Sequence, residues 1–276
     1  MKVALITGAG TGIGAATAAL LASRGYAVAL NGRREEPLRE VAASIEAAGG
    51  RAFVAIGDSA EPADAERVVA ETVAGLGGLD LAVPNAGISR SGSVLTQTPE
   101  GWESVLRTNL TGAFLLCRAA LPHLLERKGS IVAVGSAAAF QSGPESVAYC
   151  TSKAALVMLV QCIAVDFGPQ GVRANAVCPA WVRTPMADAL MAELGEQHGT
   201  DREGGYRIAN ADVPLRRAST AEEVAEAIAW LASDAAGYIN GVALPLDGGA
   251  TALRPRRLPG EGQQAQVDDL RAAVEG

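Results

Sequence analysis

The stretch Lys2-Val3-Ala4-Leu5-Ile6-Thr7-Gly8-Ala9-Gly10-Thr11-Gly12-Ile13-Gly14 decides the fold. Lys2 to Thr7 is a short apolar run bounded by turn residues, the pattern of a buried strand. Ala15 to Arg24 is rich in Ala and Leu, which predicts a helix with Gly25 just past its end. Between them Gly8, Gly12 and Gly14 are spaced G-x-x-x-G-x-G, not G-x-G-x-x-G. A strand, a glycine turn and a helix N-terminus make an anion site. Backbone approaches closely where there is no Cβ, and free N–H groups with the helix dipole favour negative charge. The competing reading is a plain flexible turn, disfavoured because glycines cost backbone entropy.

Outward from that stretch, strand and helix patterns alternate. Tyr26 to Asn31 reads as a strand, followed by Gly32-Arg33-Arg34 and a polar helix to Ala48. Arg51 to Ile56 is a strand ending at Gly57-Asp58-Ser59, and Pro62 to Leu76 a helix. Gly78 to Val83 is a strand ending at Pro84-Asn85-Ala86-Gly87. Trp102 to Arg127 reads as one long helix with Asn109 inside its apolar repeat. Gly129 to Gly135 is a strand that delivers Ser136, and Ser146 to Phe167 a helix. Gly171 to Val177 is a strand ending at Cys178-Pro179-Ala180-Trp181-Val182-Arg183-Thr184-Pro185. The pattern weakens over 184–214, as in a mobile lid of short helices or a merely exposed connection. Thr220 to Ser233 is a helix with Thr220 as N-cap and Glu223 at capping-box spacing. Val242 to Leu246 is a last strand. The alternation predicts an α/β, Rossmann-like, doubly wound parallel sheet of about seven strands with helices on both faces. It forms a single domain over 1–252. Residues 253–276 have the Pro, Gly, Gln and charge content of a disordered tail.

Bulk properties narrow the function. The chain has 276 residues, 49% of them hydrophobic, which is enough for a sizeable core. Its net charge is −7 with no dense basic block, which argues against nucleic acid as a partner. No stretch reaches membrane-spanning length without charges or breakers, and the first apolar run is too short for a signal segment. Four cysteines without CxxC spacing, mostly in apolar runs, read as buried free thiols in a reducing cytoplasm. Two histidines, His123 and His198, have no neighbours that suggest a metal.

Chemistry concentrates in Ser136 to Lys153. Tyr149 and Lys153 are four apart on a predicted helix, so both side chains leave one face. A free tyrosine has a pKa of about 10. A nearby ammonium favours the phenolate and makes the pair a plausible acid/base device. Alone, such a pair reads as a solvated helix face. Yet Gly8 to Gly14, Arg33, Asp58, Asn85 to Gly87, Ser136 and Pro179 to Thr184 all fall at carboxyl ends of predicted strands, where ligands bind in such sheets. At the second strand end no acid is offered to a ribose hydroxyl. Arg33 and Arg34 suit a phosphate instead, unless they only pair with Glu35 and Glu36.

In Thr7-Gly8-x-x-x-Gly12-Ile13-Gly14, Asn85-Ala86-Gly87, Asn109, Ser136, Tyr149-x-x-x-Lys153, Pro179 and Thr184, taken in this order, the chain resembles the short-chain dehydrogenase/reductase family over residues 1–250. The resemblance implies an NAD(P)-dependent oxidoreductase acting on a ketone or secondary alcohol. It implies Tyr149 as acid/base and Lys153 lowering its pKa while binding the nicotinamide ribose. Ser136 would orient the substrate oxygen, and Asn109 would hold a relay water. The implied cofactor set is Gly8, Thr11, Gly12, Ile13, Gly14, Arg33, Arg34, Asp58, Ser59, Asn85, Ala86, Gly87, Tyr149, Lys153, Pro179, Val182 and Thr184. Gln141, Trp181, Met186, Leu190 and Met191 join Ser136 and Tyr149 as candidates to line the substrate pocket, the competing reading for each being ordinary core or lid packing. A cytoplasmic homotetramer or homodimer and a small carbonyl or alcohol substrate are also implied.

Three departures stand out. Pro84 replaces an Asn of the family, Ala180 replaces a Gly, and Thr11 stands where users of the phosphorylated cofactor often carry a basic residue. Arg33 therefore favours NADP(H), with NAD(H) and an alcohol dehydrogenase as the alternative. An extended-branch epimerase would need a longer carboxyl-terminal region. An enoyl reductase would space Tyr and Lys more widely. A non-catalytic sensor or scaffold would have less reason to keep the whole Asn–Ser–Tyr–Lys set.

Overall fold

The computed structural model describes residues 1–252; the expected tail, 253–276, lies outside them. Seven strands form one sheet: β1 (Val3–Thr7), β2 (Ala27–Gly32), β3 (Arg51–Ile56), β4 (Leu81–Val83), β5 (Ser130–Val134), β6 (Arg173–Pro179) and β7 (Ala243–Leu246). They run in the order β3-β2-β1-β4-β5-β6-β7, and every pairing is parallel. The order reverses between β1 and β4, which opens a crevice at their carboxyl ends.

Both faces of the sheet are covered, which explains why the strands read as unbroken apolar runs. In β1, Val3 and Leu5 turn to one face, and Ala4 and Ile6 to the other. The first face meets α3 (Pro62–Leu76), α5 (Gly112–Arg127) and α6 (Val147–Phe167) through Val68, Leu116, Leu124, Leu156 and Val160. The second meets α1 (Gly12–Ser23), α2 (Glu35–Ala47) and α9 (Ala221–Ala232) through Leu21, Leu38, Ile45, Val224 and Ile228. Burying each such Leu, Ile or Val contributes roughly 1.5–3 kcal/mol. A third, small cluster of Ala187, Met191, Tyr206 and Ala218 lies apart from both. It joins α7 (Pro185–Gln197) to α8 (Arg202–Ala209). These two helices fill the expected lid region. A Cβ on Gly205 would sit 2.0 Å from the Met191 carbonyl oxygen, so the helices meet backbone to backbone.

Several expectations need correction. The long helix begins earlier, with α4 (Pro99–Leu106), and is interrupted by one π turn, Arg107–Thr111, before α5. Asn109 sits in that π turn, and its side chain bonds to Ile88 and Ser152 outside it. The β4 strand starts at Leu81 rather than Gly78, because Gly78 takes a φ of 146° that a strand cannot use. Cys117 and Cys178 are buried, but Cys162 is exposed and Cys150 half-buried. Val147–Gln170 is by length and composition apolar enough to cross a bilayer. In this fold its inner side packs on the sheet.

Candidate active site

The first part of the site is a glycine cradle. Gly8 (φ +63°) and Gly12 (φ +55°) adopt left-handed backbone that favours glycine. Gly14 lies buried beneath the turn; a Cβ there would sit 2.3 Å from the Gly8 carbonyl oxygen. Thr11 occupies the N-cap of α1 without capping it, so no side chain satisfies the first-turn N–H groups. That is the donor set an anion such as a pyrophosphate needs.

Thr7 ties the two halves of the crevice together. Its hydroxyl accepts from the backbone N–H groups of Asn85 and Ala86, both at 3.0 Å. The Asn85 amide in turn donates to the Thr7 carbonyl at 2.7 Å. At the end of β2, the buried Asn31 side chain donates to the carbonyls of Ala55 and Gly57. It is spent on holding β3. Arg33 and Arg34 are exposed and, among the described residues, take part in no ion pair. Glu35 pairs instead with Arg39. The competing reading, in which both arginines only pair with Glu35 and Glu36, is not what forms among the described residues. Asp58 accepts from the Ala60 N–H at 3.0 Å and faces Arg107 at 3.5 Å, while Ser59 is buried beside it.

The second part is the Ser–Tyr–Lys group. Ser136 leaves β5 and accepts from the Ala138 N–H at 3.1 Å. Tyr149 and Lys153 come from α6. The Lys153 ammonium is 4% exposed and donates to the Val134 carbonyl at 2.8 Å, 5.7 Å from the centre of the Tyr149 ring. Burial brings its pKa down to about 8. Burial pushes the Tyr149 phenol above its ordinary value, against a downward pull from Ser136. The lowering of Tyr149 by Lys153 that the resemblance implies is not among the influences on the phenol here, where desolvation dominates. Cys178 lies alongside, its thiol pushed up to about 11 by burial.

Asn109 holds this group from behind. Its side-chain oxygen accepts from the Ile88 N–H at 2.8 Å, and its amide donates to the Ile88 carbonyl at 2.9 Å and the Ser152 hydroxyl at 3.0 Å. Ser152 passes the link on, donating to the Tyr149 carbonyl at 2.7 Å. A Cβ on Gly87 would lie 3.5 Å from Asn109 Oδ1 and 3.6 Å from Lys153 Nζ, so the glycine keeps that space open.

One cavity of about 740 Å³ unites these parts. Gly8, Thr11, Gly12, Ile13, Arg33, Arg34, Asp58, Ser59, Asn85, Ala86 and Gly87 line it, as do Ser136, Gln141, Tyr149, Lys153, Pro179, Trp181, Val182, Thr184 and Met186. Gly14 and Asn109 stand behind its wall. Val182 bridges to Ser219, and Thr184 caps α7 by accepting from the Ala187 N–H. Three features were missed in the sequence. Thr7 acts as a clip. Glu145, at φ +50°, binds Ser93 and Thr96 just before α6. Arg183 donates two hydrogen bonds to the Glu203 carboxylate, at 2.9 and 2.7 Å, over the face of Tyr206. Each contact joins segments distant in sequence, which no local spacing encodes.

A family profile described as enoyl-(acyl carrier protein) reductase matches residues 8–251. Protein MoaE of Klebsiella aerogenes is 39% identical over 250 residues, covering 91% of this chain and 95% of the relative. Meso-2,3-butanediol dehydrogenase of Serratia marcescens is 37% identical over 251 residues, covering 91% and 95%. The structure of a variant actinorhodin polyketide ketoreductase with NADPH superposes with a TM-score of 0.87 at 32% identity, covering 91% of this chain and 98% of that one. The sheet order, the cavity at its switch point and these matches lead to one conclusion: the chain belongs to the short-chain dehydrogenase/reductase family, as an NAD(P)-dependent oxidoreductase acting on CH–OH and C=O groups.

Proposed function

We propose that this protein is an NADPH-dependent ketoreductase whose working residues are Ser136, Tyr149, Lys153 and Asn109. The observation that carries the reading is one continuous cavity. At one end it has an uncapped glycine turn and two arginines without ion pairs among the described residues; at the other, Ser136, Tyr149 and Lys153. A bound nicotinamide dinucleotide supplies or removes the hydride. Tyr149 Oη delivers the proton to the substrate oxygen and takes it back in the reverse direction. Its raised pKa keeps it protonated, as an acid must be. Ser136 orients that oxygen. Lys153, partly deprotonated near pH 8, takes part in replacing the proton, and Asn109 fixes the Ile88 backbone and α6 around it. Gly8 to Gly14 hold the pyrophosphate and Arg33 with Arg34 the 2′-phosphate. Asp58 and Ser59 border the adenine, Asn85 to Gly87 the ribose, and Pro179, Val182 and Thr184 the carboxamide. Gln141, Trp181 and Met186 face the substrate.

An NAD-dependent alcohol dehydrogenase is the second reading, favoured by Thr11 where a basic residue would serve the phosphate. Side-by-side fluorescence titration with NADPH and NADH at equal salt, with Arg33→Ala, separates the two. NADPH preference that the variant loses supports the first reading; equal or better NADH binding supports the second. We also propose a cytoplasmic homotetramer built on α5, α6 and β7. Exposed Phe114, Met158 and Val165 on these helices support it, and light scattering tests it.

A further inference from the structure

The charged side chains lining the cavity, among the described residues, are Arg33, Arg34, Asp58 and Lys153. The first three stand at the ends of β2 and β3, in the half assigned above to the cofactor. The fourth is turned down onto the Val134 carbonyl. Beyond Ser136 and Tyr149 the wall includes Gln141, Ser142, Trp181, Met186, Leu190 and Val213, and no residue lining that side is charged. Trp181, Met186 and Leu190 are 37%, 50% and 42% exposed, although large apolar side chains normally find cover. They come from the loop after β6 and from α7, so three apolar groups gather on one wall of one opening. An apolar wall with a few neutral polar groups is how a small-molecule site recognises an apolar body and fixes its orientation. A carboxylate, phosphate or sulfonate held there would lose water and gain no charged partner.

Resting on the assignment of Tyr149 and Ser136 above, we propose that the substrate is an uncharged ketone or secondary alcohol. An apolar ring or branched chain stands beside its reacting carbon, and Trp181, Met186 and Leu190 select it. The side chains responsible belong to the α7–α8 unit and the loop that feeds it, not to the sheet.

The test uses phenylglyoxylate and its neutral counterpart, in which acetyl replaces the carboxylate, with NADPH and the full-length protein. The diketone is expected to have a kcat/KM at least about 100-fold higher, the scale on which a pocket rejects a mismatched group. Met186→Lys is expected to shrink that ratio about tenfold by offering the acid a charged partner, with NADPH binding measured alongside. Equal or better use of the keto acid by the wild type overturns the substrate class. A ratio that neither Met186→Lys nor Trp181→Ala moves overturns the role of the wall. Turnover of neither compound by a protein that binds NADPH overturns the proposal. If Tyr149→Phe still reduces the diketone at the wild-type rate, the assignment of Tyr149 fails and the substrate class stands.

Discussion

Lys153 gives its hydrogen bond to the carbonyl of Val134, 2.8 Å away. An α6 side chain thus reads the end of β5, the strand that delivers Ser136. The ammonium is buried, and its pKa of about 8 lies below that of an exposed lysine. The unfolded chain therefore binds the extra proton more tightly. The penalty is full below pH 8 and is relieved as pH rises from about 8 toward the unfolded value. Denaturant unfolding of the wild type and Lys153→Met, at neutral pH and again well above pH 8, should show the wild type gaining on the variant as pH rises. A pH-independent gap would mean that the folded amine keeps the pKa of a solvated lysine.

Tyr149 is held protonated by burial in the cofactor-free protein. Ultraviolet difference absorption between wild type and Tyr149→Phe should show its phenolate appearing only above pH 10. The same variant should keep NADPH binding and lose about 10²- to 10⁴-fold in turnover, the usual worth of a positioned proton donor. Phenolate absorption near neutral pH would mean that Lys153 governs the phenol even without cofactor.

Gly14→Ala would place a methyl group 2.3 Å from the Gly8 carbonyl oxygen and 2.6 Å from the Asn85 amide nitrogen. Both are fixed, one by backbone and the other by its bond to Thr7. Overpacking at such a point costs about 1–3 kcal/mol. The expected outcome is a lower melting temperature together with weaker NADPH binding, since the cradle must open to fit the methyl. An unchanged cofactor titration would mean that α1 can slide without disturbing the turn.

Arg183 lies between Val182 and Thr184 and grips Glu203 of α8. Both partners are more than two-fifths exposed, so solvent screens the pair and it adds little to stability. Its effect should appear in function rather than stability. Arg183→Ala should raise the substrate KM several-fold with little change in melting temperature, and Glu203→Gln should do half as much. A large loss of stability with unchanged KM would make the contact purely structural.

The α9 start offers a separate check. Thr220 and Glu223 form a reciprocal capping box, and the Arg217 guanidinium with the Thr220 N–H pulls the Glu223 carboxyl down to about 2. Its folded pKa is depressed, so the stability it contributes is present above the unfolded value of about 4.3 and is lost as pH falls toward 2. Thr220→Ala should cost about 1 kcal/mol at neutral pH. Glu223→Gln should flatten the acid limb of the unfolding curve relative to wild type.

Features that repeat along the chain were readable in advance. Burial on both faces made each strand an apolar run, and the strand ends carried the glycines, Ser136 and Pro179. The Tyr149–Lys153 spacing is local to one helix. What escaped reading was non-local. The π turn at Asn109 coincides with its two bonds to Ile88, 21 residues away, and Arg107–Thr111 holds no Gly or Pro to announce it. The pKa of Tyr149 depends on how much protein surrounds it, which no spacing encodes. Arg33 and Arg34 could be separated from Glu35 only once Arg39 was seen to claim that carboxylate.

The small Ala187–Met191–Tyr206–Ala218 cluster holds α7 and α8 together without borrowing from either face of the sheet. The part proposed to meet the substrate is therefore held as a unit of its own. Exchanging 185–209 together with Ala218 for another helical pair is expected to leave the turn of Gly8 to Gly14 and the Tyr149 helix in place, so a new specificity would not first put the fold at risk.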